Sequence, residues 1–124
     1  MKRPAKPPTI QALLHLLDEV SVRIVSRARL QVDGGELQDF KGYYDWQNKT
    51  IVIGKARHRG QFEDMVATGI HELLHAFFDV RLEDERHHED DVGRWEMRYF
   101  RSRALREAMG IRVANAAIFK RETA

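Results

Sequence analysis

The sequence contains no cysteine, and this absence removes several kinds of site at once. Without a thiol the chain cannot form disulfides, thiolate zinc sites or a cysteine nucleophile, so His, Asp and Glu are the strong metal ligands that remain. Any metal ion that this chain binds must therefore be held by nitrogen and oxygen atoms.

Proline is also scarce, and all three prolines lie within the first eight residues. They should keep this segment extended, and helix becomes possible only from Thr9, a residue type that suits an N-cap. A chain of 124 residues, 43% of them hydrophobic, has material for one core. We therefore predict a disordered, basic tail over residues 1–8 and a single domain over residues 9–124.

Long apolar runs are absent as well, and none approaches the roughly 18 residues that a membrane span needs. The charged N-terminus is similar to the start of a signal peptide. The apolar stretch that should follow it is, however, interrupted by Gln11, His15, Asp18 and Glu19. We therefore expect a soluble protein that stays in the cytoplasm.

Charges are nearly balanced, with a formal net charge of +2, but they are segregated along the chain. Acidic residues gather between Asp79 and Asp91, and arginines gather between Arg94 and Arg112. This order suits one helix that begins near Glu89, because acids near the start of a helix and arginines toward its end both favour the helix dipole. Nucleic-acid binding by the arginines remains a less favoured alternative.

The spacing of apolar residues predicts an α+β fold. It indicates a helix over residues 10–27, although the β-branched end of this segment can turn extended. Short strands over residues 30–33, 40–46 and 50–54 predict a small sheet of two or three strands. A central helix over residues 61–78 is apolar on most sides, and a last helix begins near Glu89 and is ended or bent by Gly110. The small sheet should pack on these N-terminal, central and C-terminal helices.

The central helix contains the run His71-Glu72-Leu73-Leu74-His75. Two histidines four residues apart on a helix project to the same side and can bind one metal ion, while Glu72 lies next to that face. Neutral imidazoles suit zinc, and the carboxylate can take a proton from zinc-bound water. Burying these polar groups in an apolar helix would be unfavourable without a strong partner such as a metal. The pattern predicts that His71 and His75 are ligands and that Glu72 is the catalytic base.

The run from Ala67 to Phe77, preceded by a strand at Thr50 to Gly54, resembles the core of the zincin metallopeptidases. It is most similar to minimal single-domain zincins, such as the SprT-like and ImmA/IrrE-like proteins and small phage-encoded members. The resemblance covers roughly residues 43–105 and implies a zinc-dependent peptidase acting on a protein or peptide substrate. It also implies that the substrate main chain pairs with an edge strand beside the metal, which here would be Thr50 to Gly54.

Zincins use a third protein ligand, whose position separates their classes. Metzincins would have glycine at position 78 and histidine at position 81, and this chain has Phe78 and Arg81 instead. Gluzincins take a glutamate from a following helix, and on this similarity Glu96 is the first choice. Glu89, two turns earlier on the same helical face, remains an alternative. His88 is another, because SprT-like proteins favour a histidine as third ligand, which would point to His88 or to its neighbour His87.

Two questions stay open at the level of sequence. Attack on a carbonyl requires a hydrogen-bond donor for the developing negative charge, and the candidates are Tyr43, Tyr44, His58, Arg59 and Tyr99.

A rival interpretation is a zincin-like module without turnover, which binds a protein or nucleic acid through the helix from Arg94 to Arg112. The intact Glu72 argues against it, because a pure binder needs no general base. A hydrolase that acts on substrates other than peptides is a second rival.

Overall fold

The structure is a computed structural model that describes residues 6–32, 34–59, 61–82 and 89–123. It confirms the α+β class, with a short N-terminal helix, five short strands in two small sheets, and three further helices. In chain order, the elements are α1 (Ile10–Leu17), β1 (Ser21–Val25), β2 (Ala28–Gln31), β3 (Leu37–Phe40), β4 (Gly42–Asp45), β5 (Thr50–Gly54), a 3-10 turn (Lys55–His58), α2 (Phe62–Leu82), α3 (Glu89–Phe100) and α4 (Arg103–Thr123). In the described part of the chain, no helix has the length and apolar character to cross a lipid bilayer.

The larger sheet has three strands in the order β1-β5-β4. β1 runs parallel to β5, with Ile24 opposite Ile53, and β4 runs antiparallel to β5, with Tyr43 opposite Val52. β2 and β3 form a separate antiparallel pair. The expectation that Thr50–Gly54 is an edge strand is wrong, because β1 and β4 occupy both of its sides. The edges of this sheet are β1 and β4.

The first helix is shorter than its apolar spacing predicted. It begins after Thr9, whose side-chain oxygen accepts a hydrogen bond from the backbone nitrogen of Ala12 at 3.0 Å, and it ends at Leu17. The helix does not continue to residue 27, because Ser21–Val25 form a strand, the extended alternative that the β-branched end of the segment allowed. β-branched side chains favour strands over helices, and this strand contains Val22, Ile24 and Val25.

The central helix α2 lies against α1, α4, β4 and β5. Gly69 allows α4 to approach closely, because a Cβ atom there would lie 2.7 Å from the Sδ atom of Met109. α2 also extends beyond the predicted end at residue 78, to Leu82. In this extension, Asp79 accepts a hydrogen bond from the hydroxyl of Tyr44 at 2.7 Å, which ties the helix to β4.

Two helices, α3 and α4, replace the single last helix predicted to begin near Glu89. The helix is interrupted at Ser102, between α3 and α4. The hydroxyl oxygen of Ser102 accepts a hydrogen bond from the backbone nitrogen of Leu105 at 3.2 Å. A serine that bonds to the backbone in this way favours a helix start. The prediction that Gly110 ends the helix is wrong, because α4 continues through Gly110 to Thr123.

Two contacts of aromatic side chains hold α3 in place. The rings of Phe78 in α2 and Trp95 in α3 are stacked, with centroids 5.2 Å apart and planes at 7°. The buried Tyr99 donates its hydroxyl hydrogen to the carbonyl oxygen of Pro8 at 2.5 Å. Pro8, the last residue of the predicted tail, is itself buried. α3 is therefore attached to both α2 and the N-terminal segment.

Candidate metal centre

His71 and His75 project from the same side of α2. Residues four apart on a helix are neighbours, and the centroids of these two rings are 5.0 Å apart. Their side chains are 27% and 14% exposed, so both rings are largely shielded and still reachable from solvent. The helix alone therefore brings two imidazole nitrogens together.

Glu89, the first residue of α3, adds a carboxylate to this pair. Its Oε1 atom lies 2.9 Å from Nε2 of His75, and its Oε2 atom lies 3.8 Å from Nε2 of His71. Each of the three residues offers one ligand atom, and these atoms lie within 4.8 Å of one another. The group can therefore hold a metal ion, although the identity of the ion does not follow from this spacing.

Glu96 lies on the other side of the His71 ring. Its Oε2 atom is 2.7 Å from Nδ1 of His71, so a proton on Nδ1 is donated to this carboxylate. The tautomer with Nδ1 protonated leaves the lone pair of Nε2 free for a metal ion. Glu96 is thus in contact with the site, but it orients His71 and is not one of the three grouped residues.

The candidates for the third ligand therefore have different positions. Glu89, an alternative at the level of sequence, belongs to the group, whereas Glu96, the first choice, contacts the far nitrogen of His71. His88 and His87 lie outside the described residues. Glu89 and Glu96 are two helical turns apart on one face of α3, so both reach α2.

Glu72 is the one acidic residue of the histidine motif, and its side chain is almost fully buried. Its Oε2 atom lies 3.9 Å from Nε2 of His71. Burial raises the pKa of Glu72 to about 7, while the charge of His71 opposes this rise and the charge of Glu89 adds to it. A carboxyl group with this pKa gains and loses a proton readily at neutral pH, as a general base must.

This burial gives a prediction for the protein freed of metal by a chelator. The pKa of Glu72 in the folded protein, about 7, exceeds its usual value of 4.5. Its contribution to stability is therefore complete at low pH and is lost as the pH rises through 7. Because glutamine stays neutral, we expect Glu72→Gln to raise the free energy of unfolding at pH 8, by at most about 3 kcal/mol. Urea unfolding at pH 5 and pH 8 measures this effect.

The control for this measurement is Glu36→Gln, at an exposed glutamate between β2 and β3. This variant should leave the stability unchanged at both pH values. If Glu72→Gln has no larger effect at pH 8 than at pH 5, the carboxyl group of Glu72 is not held in a low-dielectric environment.

His71 and Glu89 border an open cleft of about 440 Å³, whereas His75 is not among the residues that line it. Its walls come from the end of β3, the start of β4, α2 and α3, and they include Phe40, Ala67, Thr68 and Phe100 beside His71, Glu72, Glu89 and Glu96. β4 passes very close to α2 here, because a Cβ atom at Gly42 would lie 2.7 Å from Cγ2 of Thr68. The aromatic walls were not expected from the sequence. The one signal for them is that Phe100 follows Glu96 by four residues on the same helical face.

Three of the candidates for stabilising an oxyanion are engaged elsewhere. The hydroxyls of Tyr44 and Tyr99 donate to Asp79 and to the carbonyl of Pro8. The buried His58 donates from Nδ1 to the carbonyl oxygen of Gly54 at 2.7 Å, and its Nε2 accepts from the hydroxyl of Thr68 at 2.7 Å. Among the described residues that line the cleft, neither of the other two candidates, Tyr43 and Arg59, is present.

Comparisons with protein-family models, curated proteins and solved structures found no match to this chain. What the centre formed by His71, His75 and Glu89 does must therefore be inferred from its own geometry and chemistry.

Proposed function

We propose that this chain is a minimal zincin-like metallopeptidase, which hydrolyses peptide bonds with a zinc ion held by His71, His75 and Glu89. One observation carries the proposal. The ligand atoms of these three residues lie within 4.8 Å of one another, beside the buried carboxyl group of Glu72, and His71 and Glu89 line an open cleft. A site with two imidazoles, one carboxylate and a nearby general base is typical of zinc hydrolases.

The donor set suits zinc. Two neutral imidazoles and one carboxylate form a catalytic zinc site that leaves a further position open, and the chain has no thiolate that would close it. Glu96 supports this assignment, because its hydrogen bond to Nδ1 of His71 favours the tautomer with Nδ1 protonated. In that tautomer the lone pair of Nε2 is free to bind zinc. Bound zinc would lower the pKa of a water molecule to about 7 and polarise the substrate carbonyl.

Glu72 would transfer the protons. Its buried carboxylate, beside His71, would accept a proton from the attacking water and then donate that proton to the leaving amine. Glu72 lines the same cleft as His71 and Glu89, so the three groups can act on one substrate bond. The residues thus divide between holding the metal and moving protons.

A peptide substrate fits the outer edge of β4. In the described part of the chain β4 pairs only with β5, so its other edge offers free backbone groups to an extended peptide. Gly42, the first residue of β4, lines the cleft, which places this edge beside the candidate metal centre. Phe40 and Phe100 would then contact an apolar side chain of the substrate. β4 would thus take the role that the resemblance to zincins implied for Thr50–Gly54.

The proposal is tested with zinc-loaded protein and a peptide library derived from a digested proteome. We expect new peptide ends to appear, detected by mass spectrometry, and to disappear when a chelator removes the zinc. Restoring zinc should restore cleavage. A protein that binds zinc and cleaves no member of the library would contradict the peptidase and favour the binding module.

A further inference from the structure

The side chain of His58 is buried, and both of its ring nitrogens are hydrogen bonded although it does not line the metal cleft. Nδ1 bonds to the carbonyl oxygen of Gly54 at 2.7 Å, and Nε2 bonds to the hydroxyl of Thr68 at 2.7 Å. A carbonyl oxygen can only accept a hydrogen bond, so Nδ1 donates and Nε2 of the neutral ring accepts. The ring therefore connects the end of β5 to α2 in one defined orientation.

Thr68 continues this connection into the wall of the cleft that α2 forms. It lies one helical turn before His71 and Glu72, and all three residues line the cleft. Its methyl group lies against the start of β4, because a Cβ atom at Gly42 would lie 2.7 Å from Cγ2 of Thr68. The hydroxyl and the methyl group share one Cβ atom, so a rotation that breaks the bond to His58 also moves the methyl group from Gly42.

Gly54 continues the connection to the wall where β3 ends and β4 begins. Its backbone nitrogen donates to the carbonyl oxygen of Lys41 at 2.8 Å. A Cβ atom at Gly54 would lie 2.9 Å from the carbonyl oxygen of Phe40, so the two backbones are in close contact. Both Phe40 and Lys41 line the cleft. Three successive hydrogen bonds thus join this wall to α2, and we call this series the His58 link, formed by Lys41, Gly54, His58 and Thr68.

The His58 link joins the two parts of the site whose relative position matters for the proposed reaction. β4 offers the edge on which a peptide would lie, and α2 holds His71 and Glu72. A buried polar network whose members are all hydrogen bonded fixes distances more narrowly than apolar packing does. A displacement of about 1 Å between a substrate and the groups that act on it can slow a reaction by about 100-fold.

We propose that His58 is a positioning residue, which sets the position of the β4 edge relative to His71 and Glu72 through the His58 link. Because it concerns the cleft of the proposed peptidase, this role rests on that function. His58 acts through Thr68 on one side and through Gly54 on the other. Loss of the link would leave zinc bound and the peptide paired with β4, but it would misplace the carbonyl that the water attacks.

Thr68→Val tests this role, because valine keeps the methyl group and lacks the hydroxyl that donates to His58. In the zinc-loaded protein we expect kcat to fall by about 10- to 100-fold while KM stays within about threefold of the wild-type value. Thr68→Ser keeps the hydroxyl and should recover most of this loss. A Thr68→Val protein that is folded, carries zinc and turns over at the wild-type rate overturns the proposal.

The matched control is Thr50→Val, at the other end of β5. This change also removes a hydroxyl hydrogen bond, which Thr50 donates to the carbonyl oxygen of Asn48 at 3.0 Å, but Thr50 does not line the cleft. It should keep the wild-type kcat. If Thr50→Val lowers kcat as much as Thr68→Val does, the loss reflects any weakening of the sheet and not the His58 link.

A double variant allows for the loss of stability that an unpaired Nε2 atom in the core would cause. His58→Leu combined with Thr68→Val replaces both partners of their hydrogen bond with apolar groups. The double variant should fold and show the same fall in kcat as Thr68→Val. A folded double variant with the wild-type kcat contradicts the positioning role.

Amide hydrogen exchange, measured by NMR, separates the His58 link from the peptidase. The amide hydrogen of Gly54 should exchange at least about tenfold faster in Thr68→Val than in the wild type, because the segment that it holds opens more readily. Thr68→Ser and Thr50→Val should keep the wild-type exchange rate. Unchanged exchange in Thr68→Val overturns the link even if the wild type cleaves peptides. The expected exchange in a protein that cleaves no peptide refutes the peptidase alone.

Discussion

Glu72→Gln is expected to lower kcat by about 10²–10⁴-fold while leaving zinc affinity nearly unchanged. Glutamine keeps the size of the side chain and lacks the carboxylate that would accept the proton of the attacking water. Glu72 is not one of the three grouped residues, so its loss removes no zinc ligand. Steady-state rates on a peptide identified from the library, together with competition titration of zinc, measure the two effects separately.

The control for this variant is Glu36→Gln, which should retain both the wild-type rate and the wild-type zinc affinity. Two outcomes would contradict the assignment. A Glu72→Gln protein that turns over substrate at the wild-type rate has another general base. If the Glu72→Gln variant keeps the biological function without any turnover, the protein is a binding module, which is the rival interpretation of the sequence.

Glu89→Ala is expected to lower zinc affinity by more than about 100-fold, and Glu96→Ala by about 10- to 100-fold. Glu89 would be a direct ligand, because its oxygens face Nε2 of both histidines. Glu96 reaches only Nδ1 of His71, so its loss would free the ring to reorient without removing a ligand. Titration with a zinc indicator, compared with His71→Ala and His75→Ala, gives the order of the four effects.

Glu107→Ala, at an exposed glutamate of α4, is the control and should bind zinc as the wild type does. The assignment of Glu89 fails if Glu89→Ala keeps full affinity while His88→Ala loses it. If Glu96→Ala lowers zinc affinity more than Glu89→Ala does, Glu96 is the third ligand, as the resemblance to gluzincins implied.

Local features of this fold were accessible from the sequence, whereas pairings between distant segments were not. The spacing of His71 and His75 predicts their common direction, because it depends on helix geometry alone. Residues 21–25 were assigned to a helix, since their apolar spacing fits a helix as well as a strand. They form a strand because they pair in parallel with β5, where Ile24 lies opposite Ile53. Ile53 is distant from Ile24 in the sequence, so local spacing does not reveal this pairing.

The same distinction explains the choice between Glu89 and Glu96. Both glutamates lie on one face of α3, so helical periodicity identifies the face but not which residue meets the metal. That depends on where α3 crosses α2, and the crossing is set by contacts such as the stack of Phe78 on Trp95. The break at Ser102 was missed for another reason, because a continuous apolar pattern runs through it.

The hydrogen bond from Tyr99 to Pro8 makes the N-terminal segment part of the support of the candidate metal centre. A truncated protein that begins at Thr9 would lack the carbonyl that accepts the Tyr99 hydroxyl, and this hydroxyl is buried on α3. α3 carries both Glu89 and Glu96. Removing the N-terminal segment, although it is remote from His71 and His75, would therefore make the positions of these two carboxylates less fixed. Shortened versions of the protein should therefore retain Pro8.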